Sequence, residues 1–210
     1  ELAAAVQLGV RLLHQLGVRL PAQPSQFQIL WGLGRAKLAL WGKPTDTLAQ
    51  LPAMQAPAAI AATKVLASIA SATYLAAPNL FPLTVFRQVE LSARQGNLPD
   101  SAFSYAMYGL IMCGVVGDLK GGYQFGQLAI ALLDRYETRA LSARTLFVMS
   151  TFIRHWREPL ATTLPELQQG FQLGCEMGDL EYASFCGQMS IMHRLFLGES
   201  LPGLAEQADT

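Results

Sequence analysis

The chain has 210 residues, 51% of them hydrophobic and 14% charged, with fifteen basic side chains against fifteen acidic ones. That length can bury a sizeable core without disulfides or a structural metal, and the balanced charge supplies no strong field for phosphate backbones or anionic lipid. Nucleic acid is therefore not an expected partner.

Three cysteines, Cys113, Cys175 and Cys186, are odd in number, lack any C-x-x-C spacing and sit inside apolar helical patterns. They read as reduced thiols buried as small hydrophobes, which points to the cytoplasm. The chain begins mid-pattern at Glu1-Leu2-Ala3 with no signal segment, as an excised fragment would. Two uncharged stretches, 65–86 and 101–117, invite a membrane reading. Pro78, Asn79 and Pro82 interrupt the first and the second is short for a span, so both are expected to be helices covered by neighbours.

Hydrophobic periodicity is helical almost throughout, with no alternating strand pattern. Leu2, Val6, Val10, Leu13 and Leu16 mark a first helix that stops at Gly17. A second, from about Ser25 to Trp41, carries Phe27, Leu30, Trp31, Gly34, Leu38 and Trp41 on one side and ends at Gly42. The loop to Pro57 holds Pro44 and Pro52 and leaves room for one short helical turn. Pro57 opens an alanine-rich helix closed by Pro78. Asn79 is placed to cap the next one, which tolerates Pro82 in its first turn and ends at Gly96-Asn97.

Asp100 is placed to cap a helix through Phe103, Ala106, Met107, Leu110 and Ile111 whose other side, Tyr105, Tyr108, Met112 and Val115, is also apolar. After Gly117-Asp118 comes a helix with Phe125, Leu128 and Leu132, then one with Val148, Met149, Phe152, Ile153 and Trp156, ended by Pro159. Thr163-Leu164-Pro165-Glu166 fits a capping box, followed by Leu167, Phe171 and Cys175 on one face. Gly178-Asp179 separates that helix from the last long one, which Gly198 stops.

The patterns that would carry chemistry are absent: no phosphate-binding loop, no H-E-x-x-H, no G-x-S-x-G and no paired-cysteine zinc pattern. The glycines near Gly32 and from Gly117 to Gly126 follow no strand and suit helix packing and capping. The candidate interaction surface is Arg154, His155, Trp156 and Arg157 at one helix end, with Glu176, Asp179 and Glu181 around a helix-helix turn. Cations suit a helix C-terminus, Trp156 continues the apolar stripe, and Asp179 with Glu181 suits a helix N-terminus, so each group also has a structural account. Tyr105, Tyr108 and Tyr123, with Trp156, are the candidate pocket. No catalytic, cofactor-binding or metal residue is expected, and no cofactor.

Several blocks together resemble a known family. They are Val89-Glu90-Leu91-Ser92, Gln95-Gly96-Asn97, Ser104-Tyr105-Ala106-Met107-Tyr108-Gly109, the run from Gly122 to Ala129, Phe152-Ile153-Arg154-His155-Trp156, and the run from Gly178 to Ala183. The resemblance is to the helical-repeat region of large bacterial signalling proteins that join a serine/threonine kinase, a signal-transduction ATPase and often a sensor histidine kinase. It implies a tetratricopeptide-like repeat arm that binds a partner or inducer, and it assigns no kinase or ATPase activity to this segment.

The expected fold is all-α, an α-α superhelix of four to five stacked helical hairpins with degenerate repeats. It would form a single domain over 1–210, with a softer joint around 43–56. The expected function is non-catalytic: a protein-interaction or ligand-sensing module, with a structural spacer or a small-molecule sensor pocket as alternatives. Expected partners are flanking domains of the parent chain, a protein or a small ligand, with a homodimer through raw solenoid ends as a further option.

Overall fold

A computed structural model describes residues 2–208 of the chain. It is all-helical, and among the described residues no strand forms. The described residues form eleven α-helices in order: α1 (Leu2–Gln15), α2 (Gln26–Leu40), α3 (Thr45–Ala49), α4 (Pro57–Ala76), α5 (Phe81–Gln95), α6 (Ser101–Ile111), α7 (Leu119–Tyr136), α8 (Ser142–Val148), α9 (Thr163–Met177), α10 (Leu180–Phe196) and α11 (Leu201–Ala208). The helix α11 was not expected from the sequence. Among the described residues no single helix is long and apolar enough to cross a membrane.

The glycine stops are where the pattern placed them. Gly17, Gly42, Gly96, Gly117, Gly178 and Gly198 all have positive φ, the left-handed region that ends a helix at least cost in glycine. Other caps differ from expectation. Leu80, not Asn79, is the N-cap of α5, with Pro82 in its first turn. Ser25 and Gln28 form a reciprocal capping box on α2 that the sequence reading did not name. No such box forms at α9: Thr163 Oγ1 donates to the Leu160 carbonyl, and Glu166 reaches Ser150 and Arg154 instead of the helix start.

The chain divides into two compact units, residues 1–108 and 109–210, with the division inside α6. In the first, α1 packs on α4, α2 on α5 and α4 on α5. Leu13, Val18, Ala62, Leu66 and Ile69 form one apolar cluster there, and Val6, Ala72 and Leu80 a second. Residues 52–54 lie against the end of α5: the Met54 amide donates to the Asn97 carbonyl and the Asn97 amide to the Pro52 carbonyl. Gly96 makes this approach possible, having φ +102° and leaving only 2.3 Å between the place of a Cβ and the Pro52 oxygen. Buried Asn97 also donates through Nδ2 to the Leu48 carbonyl at 2.7 Å and accepts from the Tyr105 hydroxyl.

Two helices leave exposed residues that the sequence pattern placed on a covered face. On α2 the buried positions are Ala36 and Ala39, while Phe27, Leu30, Trp31, Leu38 and Trp41 are 64–81% exposed. On α9 the buried positions include Leu167, Gly170 and Gly174, whereas Phe171 and Cys175 are exposed. Both corrections have one cause: small residues let helix backbones approach closely. A Cβ at Gly32 would stand 2.5 Å from Leu83, and one at Gly174 would stand 2.8 Å from the Ala183 methyl.

The second unit holds α7 to α11, with α9 packed on α8 and α10. The helix that begins at Ser142 changes from α to a π turn at Met149–Ile153 and then to a 3-10 turn at Arg154–Trp156. This shift of helical phase keeps Ile153 fully buried and leaves Trp156 49% exposed, so Trp156 does not continue the core stripe. A π turn inserts an extra residue per turn and so re-aims the side chains that follow it.

Candidate functional site

The π turn delivers Arg154 to a cluster of carboxylates. Arg154 donates from Nε to Glu166 Oε2 at 2.9 Å and from Nη1 to both oxygens of Glu158 at 2.8 and 2.9 Å, and its Nη2 meets the other Glu166 oxygen. Ser150, on the π turn itself, donates to Glu166 at 2.8 Å, and the Tyr123 hydroxyl of α7 donates to Glu158. The three charged side chains are only 15–24% exposed. Arg154 and its two carboxylates thus join α7, the helix beginning at Ser142 and the start of α9, all through charge-assisted bonds.

Electrostatics follow from the bonding. The Tyr123 hydrogen bond holds the Glu158 carboxyl below its ordinary value; burial opposes this and the Arg154 bond assists it. The same bond to Glu158, with burial, raises the Tyr123 phenol. Glu158 therefore stays ionised and Tyr123 protonated near neutrality, an arrangement suited to holding elements together and poorly matched to proton transfer.

Beside this cluster, burial lowers His155 against a hydrogen bond to the Ser150 backbone. Its ring lies 5.0 Å from that of Trp156. Arg157 is exposed, with its guanidinium 6.0 Å from the centre of the Tyr123 ring. The structure thus brings Arg154, Arg157 and Tyr123 together around Glu158.

The acidic turn between α9 and α10 engages other arginines. Glu176 pairs with Arg139, and Asp179 accepts from Arg144 Nη2 at 2.7 Å and Nε at 3.0 Å. Arg144 also stands over the Tyr182 ring at 5.1 Å. Asp179 is the N-cap residue of α10, yet its carboxylate makes no cap hydrogen bond. Glu181 lies exposed in the first turn of α10.

Tyr105 and Tyr108 are in the first unit, fully buried. The Tyr108 ring meets Phe86 edge-on with 6.2 Å between centres. Both act as core side chains, Tyr105 with its hydroxyl satisfied by Asn97.

Sequence reasoning passed over Glu90, Arg139, Arg144, Glu158 and the Thr163-His193 pair. Local signals existed for two of them. Arg154 and Glu158 are four residues apart, and Glu90 has Arg87 three before and Arg94 four after, the spacings at which helix neighbours meet. Arg139, Arg144 and His193 find their partners across 30 or more residues, where no local pattern speaks.

Among the described residues no group of three or more His, Cys, Asp or Glu side chains could hold a metal ion. Cys113 and Cys186 are buried, and Cys175 is exposed, contrary to its expected burial. Burial, with the charge of Asp179, pushes the Cys186 thiol up to about 12, which makes it unreactive.

Comparison with known proteins bears on what this helical scaffold serves. The chain is similar to a segment of a signal-transduction protein. That relative, hybrid signal transduction histidine kinase G of Dictyostelium discoideum, is 32% identical over 127 residues, 60% of this chain. The matched segment is 4% of the relative's length. No family model matches the chain, and no solved structure matches it.

Proposed function

We propose that the chain is a non-catalytic regulatory module of a multidomain signal-transduction protein, a kinase or a kinase-ATPase, that binds a flanking domain or a partner protein. The observation that carries this is the 32% identity to a small segment of a very long hybrid histidine kinase. A segment that is 4% of such a protein is one module among many. The geometry is in keeping with it: Glu158 and Glu166 at the α7 to α9 junction are spent on Arg154, and Glu176 and Asp179 of the α9-α10 turn on Arg139 and Arg144.

The finer reading is a helical-repeat region of tetratricopeptide-like hairpins, in which α9 and α10 form one repeat. The small-residue packing of α9 on α10 supports that reading, because paired repeat helices approach through such faces.

The test is a thermal-shift and calorimetric titration of the chain with the separately purified neighbouring domains of its parent protein. A saturable rise in the unfolding midpoint with one of them supports the module reading. No rise and no heat with any neighbouring domain, from a chain that stays helical, overturns it.

A further inference from the structure

The outward face of α2 is the largest feature of the first unit that the fold leaves unexplained. Phe27, Trp31, Gly34, Leu38 and Trp41 follow one another at intervals of four, three, four and three residues, and Leu30 lies beside them. That is the seam spacing of a helix that packs lengthwise on another helix. All five large residues are 64–81% exposed. With aromatic side chains of ~150–250 Å² each, they place on the order of 700 Å² of apolar surface in water. One side of a stable interface contributes roughly 800 Å².

Gly34 fits the same account. A Cβ there would meet nothing within 4 Å, so packing inside the chain does not call for glycine, and glycine inside a helix costs about 1 kcal/mol against alanine. On a seam it opens room for a second backbone. Beside the seam, Trp31, Gly32, Leu83 and Phe86 help to line a cleft of about 140 Å³ between α2 and α5, with Arg19 and Arg87 among its other lining residues. That volume accommodates a single large side chain and is small for a whole ligand.

Charge selects the occupant. From residue 2 to residue 45 there is no Asp or Glu, against Arg11, Arg19, Arg35, Lys37 and Lys43. The 1–108 unit carries eight basic and four acidic side chains, an asymmetry hidden by the neutral total. Arg35 and Lys37 occupy the positions that flank the seam, where charged pairs decide the partner of a helix. Arg35 is paired with Glu90 of α5 at 2.7 Å, whereas Arg19 and Lys37 have no ion-pair partner among the described residues. A second copy of α2 carries the same cations and no carboxylate to meet them, which disfavours self-pairing. A flat anionic membrane would satisfy the charge but would use neither the seam spacing nor the cleft.

We propose that the exposed face of α2, with the adjoining cleft, docks an acidic amphipathic α-helix of a partner protein or neighbouring domain, whose apolar edge meets the seam and whose carboxylates meet Arg19 and Lys37. The inference deepens the interaction-module reading and rests on it.

The probe is a synthetic fluorescein-labelled helix of 21 residues, with leucine at the two seam positions of each heptad and glutamate at the flanking ones. It is titrated into the intact chain and followed by anisotropy. Its control carries lysine in place of glutamate. The expected result is saturable binding of the acidic helix that weakens with added salt and is absent for the basic one. Trp31→Ala should reduce the affinity at least tenfold, as a central aromatic anchor does, and Lys37→Glu should reduce it several-fold. These side chains are exposed, so circular dichroism should show both variants folded.

The proposal falls if the folded chain does not bind the acidic helix, binds both helices alike, or binds independently of Trp31. It also falls if Trp31 instead governs binding to phosphatidylserine vesicles or dimer formation in sedimentation. Binding of a neighbouring parental domain that is insensitive to Trp31→Ala would remove this face and leave the module reading standing. Failure of every neighbouring domain as well as the probe would remove both.

Discussion

Asp179 stands at the N-cap of α10 but gives its carboxylate to Arg144, which donates to the same oxygen, Oδ2, from Nη2 at 2.7 Å and from Nε at 3.0 Å. An aspartate at that position ordinarily caps its own helix; here it ties α8 to the α9-α10 turn. Arg144→Ala should destabilise the chain by about 1–3 kcal/mol, the range for hydrogen bonds to a charged group that is mostly buried. Asp179→Ser keeps a good capping residue and loses the ion pair. Chemical denaturation should find Asp179→Ser nearly as costly as Arg144→Ala, with the double variant far from additive. A neutral Asp179→Ser would mean that capping outweighs the pair.

Glu90 is the hub of the α2-α5 contact. Its side chain is 6% exposed and meets Arg35 at 2.7 Å, Arg87 at 2.6 Å and Arg94 at 3.4 Å. Burial alone would raise its carboxyl, but the hydrogen bonds from Arg35 and Arg87, with their charges, hold it below the ordinary value. A carboxyl depressed in the folded state binds its proton more readily when unfolded. Its stabilisation is therefore present above the unfolded pKa of about 4.3 and is lost as pH falls through the folded one. Glu90→Gln should flatten that acid limb in denaturant midpoints measured from pH 7 to pH 3. At neutral pH it should cost roughly 2–3 kcal/mol, below the ~3–5 of an enclosed pair because Arg35 and Arg94 are about half exposed.

A second pH window belongs to the histidines. Thr163 Oγ1 lies 2.7 Å from His193 Nδ1 and already donates to the Leu160 carbonyl, so the imidazole Nδ1 carries the hydrogen and donates to Thr163. Burial lowers His193, and the charge of His155 lowers it further; burial lowers His155 as well. A base depressed in the folded state takes up protons on unfolding, so stability is full above the unfolded value of about 6.5 and declines as pH falls below it. His193→Gln should lose part of the slope between pH 6.5 and 5 and leave the Glu90 limb below it intact. An unchanged slope in both His193→Gln and His155→Gln would show that neither ring is held neutral by the fold.

How far the sequence could be read depended on the range of the interaction. Helix stops at Gly17, Gly42, Gly96, Gly117, Gly178 and Gly198, the short α3 between prolines and the tolerated Pro82 are local backbone chemistry, and all were legible. The ion clusters were legible only in part. Arg154 and the acidic turn were singled out, but their partners proved to be Glu158 and Glu166 for one, and Arg139 and Arg144 for the other. Those pairings depend on which helices become neighbours.

The sequence by itself determined an all-helical chain and its glycine stops, because capping, φ preference and the 3.6-residue period act within a few residues. Tertiary structure decided which face of each helix is covered. The apolar stripe of α2 shows that one side avoids water; it does not show what covers it. Leu83 and Phe86 of α5 come close against Gly32, and α2 buries only Ala36 and Ala39, since a larger side chain at Gly32 would hold the two backbones apart. Close backbone approach therefore prevailed over burial of Phe27, Trp31, Leu38 and Trp41, and it is this choice that leaves a seam facing outward.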